Sequence, residues 1–171
     1  MPKIYSKCGY NRNTSRNVLY GPEQLGGAGF IPLKVATGTG RCLNFIKNWR
    51  TPTEDVGKTL RIVYAWTQYQ AGVSYPLLEK TNTDLEYVQG RFVLETRAYL
   101  EEIDATIHLD VNYVQRSLRV NDVAIMEHAN NFDFTLIQMK RINCVRMYLG
   151  VTYISEISTI CGNYLVNGIT N

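Results

Sequence analysis

Residues 51–72 read TPTEDVGKTLRIVYAWTQYQAG, and this stretch decides the fold class. Thr51-Pro52-Thr53-Glu54 is a helix start. The threonine hydroxyl can cap a free amide, the proline has the fixed φ that suits a first helical position, and the glutamate can close a capping box. Val56, Leu60, Val63 and Trp66 or Thr67 then recur at helical spacing. Gly72 supplies the left-handed residue on which helices commonly end.

The same signals repeat on either side. Upstream, residues 34–50 predict a helix with Val35, Cys42, Phe45, Ile46 and Trp49 on one broad face. Gly38 and Gly40 weaken its first turns by about 1 kcal/mol each relative to alanine. Before it, Gly21-Pro22 and Gly26-Gly27-Ala28-Gly29 punctuate residues 1–33, which predict an extended, basic, Gly/Pro-rich lead-in. Downstream, Thr83-Asp84-Leu85-Glu86 is a second capping box. It predicts a helix presenting Leu85, Val88, Phe92, Thr96, Tyr99 and Ile103 on one face. Residues 106–110 alternate and suggest a short strand. Asn121 or Asp122 can cap a short helix running through Ala129. Thr135-Leu136-Ile137-Gln138 opens another, with Ile137, Arg141, Cys144, Val145 and Tyr148 in register and Gly150 closing it. β-Branched residues around Cys161-Gly162-Asn163 suggest a turn between two short strands. The expected fold is mainly α: about five helices in a single bundle-like domain over residues 34–171, behind the extended lead-in of residues 1–33, with minor short β strands.

Composition bounds the function. The chain has 171 residues, 45% of them hydrophobic and 19% charged, which suits one domain with a real core. Its apolar runs fall short of the roughly 18–20 residues that span a bilayer, and Met1 to Lys7 is mixed and basic rather than an apolar signal core. An intracellular protein, in cytoplasm or nucleus, not secreted and without a membrane partner, is the expectation. Cys8, Cys42, Cys144 and Cys161 form no C-x-x-C pair, so zinc has no support; Cys42 and Cys144 are expected to be small buried hydrophobes.

The net charge of +3 is unevenly laid out. Residues 1–70 hold ten Lys/Arg and three Asp/Glu, whereas residues 71–133 hold five and eleven. Lys3, Lys7, Arg12, Arg16, Arg41, Lys47, Arg50, Lys58 and Arg61 are the candidate nucleic-acid-binding residues. Tyr5, Tyr10, Tyr20 and Trp49 are interleaved among them, as base stacking would require.

Catalytic constellations are each missing a member. Gly38-Thr39-Gly40 lacks the lysine and hydroxyl of a phosphate loop, and Leu43 stands where a dinucleotide fingerprint needs glycine. His108 and Asp110, on one face of the expected strand, and His128, in the short helix, have the residue types of a two-His-one-carboxylate iron site, but the pattern reads more simply as a half-exposed strand and a surface histidine. Glu101, Glu102 and Asp104 read as a solvated helix end, and no G-x-S-x-G is present. No catalytic residue, metal or cofactor is expected, and the chain is not expected to be an enzyme on its own.

Three stretches carry a likeness. They are residues 7–14 leading into 18–30 (VLYGPEQLGGAGF), Tyr75-Pro76-Leu77-Leu78-Glu79, and residues 139–152 (MKRINCVRMYLGVT). They resemble the segment of retroelement polyproteins that lies just after the reverse-transcriptase catalytic domain, in elements of diatoms, other protists and some fungi. The Tyr-x-Asp-Asp motif of the polymerase is not in this sequence, so no polymerase role is carried over to any residue. The resemblance implies a non-catalytic, thumb- or connection-like region that contacts RNA or DNA through its basic N-terminal third. Its other implied partner is the upstream reverse-transcriptase domain. The alternative is a structural or protein-interaction module docking on a polymerase domain or another partner.

Overall fold

A computed structural model describes residues 7–11, 13–161 and 164–166. The chain is mainly helical, with about half its residues in helices, four of them long. In chain order the described helices are α1 (Arg16–Tyr20), α2 (Leu33–Trp49), α3 (Asp55–Ala71), α4 (Arg91–Glu102), α5 (Ile125–Ala129) and α6 (Leu136–Leu149). Short 3-10 turns cover Glu23–Leu25 and Ile154–Glu156. Among the described residues β structure is limited to two isolated bridges, Ala124 with Tyr153 and Ser158 with Leu165. The chain divides into two compact units, residues 1–43 and 44–171.

In the first unit, the Ser15 side chain accepts from the Asn17 amide and starts α1 within the glycine-rich lead-in. The chain then turns at Pro22 and returns along α1, with Ala28, Gly29 and Phe30 amides donating to the carbonyls of Val18, Gly21 and Leu19. Two backbones meet here. A Cβ on Gly27 would stand 2.1 Å from the Gly21 carbonyl oxygen, closer than any side chain permits. The Y-G-P and G-G-x-G elements therefore make one backbone-packed turn. Leu19 is fully buried beneath it, and Tyr10 meets Phe30 edge-on.

In the second unit, α3 packs on α4 and α5 on α6. The core gathers Phe45, Trp49, Leu60, Tyr64, Leu77, Leu78, Val93, Leu100 and Met126. The inward face of α3 is Gly57, Leu60, Tyr64, Thr67, Gln68 and Ala71. That face is rotated from the expected stripe, so Val56, Val63 and Trp66 are exposed. The cause is polar. Gln68 accepts from the Leu77 amide and donates to the Tyr75 carbonyl, and Gln70 accepts from the Gln89 amide. Both glutamines are buried because the loops beside α3 need their amides.

Helix starts moved more than helix ends. The Thr51 hydroxyl turns back to the Lys47 and Asn48 carbonyls of α2, and Glu54 becomes the residue before α3, without a side-chain cap. α4 begins at Arg91, not behind Thr83, because the Thr83 hydroxyl accepts from Arg97 and pairs with Tyr75. Leu85 and Val88 are buried from a turn instead. Residues 106–110 form no strand; the Ile107 amide donates to the Leu78 carbonyl, and among the described residues no second backbone bond continues the pairing. α6 has the full Thr135–Gln138 capping box, and Gly72 and Gly150 end α3 and α6 in the left-handed conformation.

Candidate nucleic-acid interface

The nine basic candidates fall into different environments. Lys3 and Arg12, like Tyr5, lie outside the described residues. In the first unit Lys7 and Arg16 are exposed, and Arg41 is half-buried and engaged. In the second unit Lys47 and Arg50 are exposed at the carbonyl end of α2. Neither has a side-chain hydrogen bond or ion pair among the described residues. Lys58 pairs with Asp55 at 3.4 Å, one turn away.

Arg61 is a structural residue rather than a free cation. Its guanidinium donates to the Trp49 carbonyl at 2.9 Å, sits 4.5 Å from the centre of the Trp49 ring, and lies 3.8 Å from Asp110. Trp49 in turn donates its indole N–H to Asp110 at 2.7 Å. That bond holds the Asp110 carboxyl below the usual carboxylate range. Phe45 stacks on Trp49, and Tyr64 and Tyr113 meet it edge-on, so at 6% exposure its face is not open to a base. Burial pushes the Tyr64 hydroxyl up to about 12.

Three further arginines, none of them a sequence candidate, also hold backbone. Arg146 is 2% exposed and donates to five acceptors: Asn143 Oδ1, Thr152 Oγ1, and the carbonyls of Val151, Tyr69 and Gln70. It thereby ties the end of α3 to the end of α6. Arg97 reaches the carbonyls of Leu77 and Lys80 and the Thr83 hydroxyl. Arg119 reaches those of Ser155, Ser158 and Thr159. Burial lowers the pKa of both Arg97 and Arg146 from its ordinary value. No spacing rule would have flagged these residues, because most of their acceptors are carbonyls far away in sequence.

The other candidate constellations separate. Gly38 to Gly40 lies inside α2 rather than in a loop. His108 faces Glu79 at 3.3 Å, Asp110 is held by Trp49, and His128 packs edge-on against Phe132. Among the described residues no three His, Cys, Asp or Glu side chains are placed to hold a metal ion. Cys144 is exposed, not buried as expected, because α6 turns Asn143 and Arg146 inward. Among the described residues no helix is long and apolar enough to cross a membrane.

A pocket of about 230 Å³ adjoins the free cations. Phe45, Ile46, Trp49 and Arg50 form one wall, and Thr106 to Leu109 the other. It went unseen in the sequence because its walls lie some sixty residues apart. No protein-family model, curated protein or solved structure matches the chain.

Proposed function

We propose that this chain is a non-catalytic domain associated with a reverse transcriptase, and that it holds single-stranded nucleic acid through exposed cations. One observation carries the reading. Residues 24–53 contain no acid, and within them Lys47 and Arg50 stand exposed and unpaired among the described residues. Exposed cations without an ion-pair partner attract phosphate. Lys7 and Arg16 extend the basic set in the first unit. Arg61 leaves it, since its guanidinium is engaged by Trp49 and Asp110, and Lys58 is partly neutralised by Asp55. The likeness to the region after a polymerase domain supplies the biological setting, inside the cell, where RNA or DNA would be the ligand.

Fluorescence anisotropy with a labelled single-stranded oligonucleotide tests it. Affinity should be independent of sequence and fall with salt, with a log–log slope near −0.7 per phosphate contact. The double variant K47E/R50E should bind at least roughly tenfold more weakly and with a shallower slope. No binding at low salt would end the proposal.

A protein-docking reading has its own observation. Val56, Ile62, Val63 and Trp66 of α3 are all exposed, at 38–69%. Such a face suits a partner, including the polymerase domain itself. Co-purification with that domain, abolished by the double variant V63E/W66E and unaffected by K47E/R50E, would favour it.

A further inference from the structure

The geometry points to a subsite for a single nucleotide of a bound strand: the base in the pocket between α2 and residues 106–109, its phosphate on Arg50. This rests on the nucleic-acid reading above and makes it specific.

Four features of the pocket select this ligand. Its volume of about 230 Å³ is below the roughly 300–1,000 Å³ of drug-sized ligand sites, so it takes one planar group rather than a folded surface. Its lining combines apolar side chains, Phe45, Ile46 and Trp49 on one wall and Ile107 and Leu109 on the other, with the polar Arg50, Thr106 and His108. A bare phosphate would gain nothing from the apolar side chains, whereas a base has apolar faces to bury. Arg50 lies at the same pocket as an exposed cation, which gives the phosphate of that nucleotide a partner. Lys47, nearly one helical turn before it, can serve the next phosphate along.

The fourth feature is the wall made by residues 106–109. Among the described residues the backbone amides and carbonyls of Thr106, His108 and Leu109 have no hydrogen-bond partner. A base carries donors and acceptors along its edge, and an unladdered backbone offers both. Neither nearby carboxylate stands alone. Asp110 is engaged by the Trp49 indole and Arg61, and Glu79 lies 3.3 Å from the His108 imidazole.

Trp49 makes the site observable. The chain has two tryptophans, so Trp66→Phe leaves Trp49 as the sole tryptophan, read by selective excitation above the tyrosine band. The full chain carrying Trp66→Phe is titrated with a short oligothymidylate, with an abasic oligonucleotide of equal length, and with thymidine monophosphate. Trp49 is 6% exposed, so the base does not stack on its face; the oligothymidylate should quench Trp49 from the pocket and bind roughly fivefold more tightly than the abasic strand, the low end of the range for a base held by protein. Adding Thr106→Phe, at an exposed position on the pocket wall, should bring oligothymidylate down to abasic affinity and leave the abasic strand unchanged. Arg50→Ala should weaken both strands. Equal affinity for the two strands without quenching overturns the subsite and leaves phosphate binding standing. Binding by neither strand overturns both. Mononucleotide affinity equal to that of the oligonucleotide overturns the strand subsite in favour of a free-nucleotide site.

Discussion

The ends of α2 and α6 each carry an arginine, and the two do opposite work. Arg50 stands in solvent beyond α2 with no partner among the described residues. Arg146 is 2% exposed in the last turn of α6, and all its donors' work is internal. The difference lies in what surrounds each. α6 ends against the carbonyls of Tyr69 and Gln70, which the close of α3 leaves without helical partners, and a guanidinium satisfies both at once. The two helices thus separate structural arginine from arginine available to a ligand, a distinction that counting charge cannot make.

The comparison breaks first, if at all, at Arg146. Arg146→Ala strands five acceptors and opens a cavity, so it should destabilise the fold by about 4 kcal/mol or more in urea denaturation. A loss below about 1 kcal/mol would mean that the clasp is not structural. Next comes Gly72→Ala. Gly72 has φ +59°, and a Cβ there would stand 2.6 Å from the Arg146 guanidinium carbon. The left-handed strain and displacement of the clasp together should cost about 2–3 kcal/mol, measured the same way. Asn at this position, which tolerates the dihedral but not the contact, separates the two causes.

A smaller effect should appear at Asp110. The Trp49 indole N–H, with help from Arg61, lowers its folded pKa. A depressed carboxylate contributes stability that is present above its ordinary pKa and lost as pH falls through the folded value. The acid limb of a stability–pH profile should therefore be shallower in Asp110→Asn and in Trp49→Phe. Identical profiles would disconnect the bond from stability. Smallest on the folding axis is K47E/R50E. Exposed and unpaired, the two should change stability by no more than about 0.5 kcal/mol while weakening the proposed nucleic-acid binding. A large loss of stability there would erase the contrast between the two helix ends.

What the sequence disclosed follows from range. The Thr135–Gln138 box and the stops at Gly72 and Gly150 are decided within a few residues, and the structure has them. Thr51 and Thr83 carry the same local signal, yet their hydroxyls serve α2 carbonyls and Arg97 instead, and both helix starts moved. The inward face of α3 was misread because its buried glutamines answer loops beyond the helix. In the proposed interface, Lys47 and Arg50 are legible as charge. The removal of Arg61 from the set is not, since Asp110 is forty-nine positions away. The pocket needed the pairing of α2 with residues 106–109, for which no periodicity exists.

Gln68 has a consequence for the timing of local opening. Its amide holds both the Tyr75 carbonyl and the Leu77 amide. The stretch after α3, with its proline and no helix of its own, cannot detach without breaking a buried bond to the helix. Amide exchange at Leu77 is thereby coupled to unfolding of α3, so a segment that resembles a surface connector belongs to the same cooperative unit as the core.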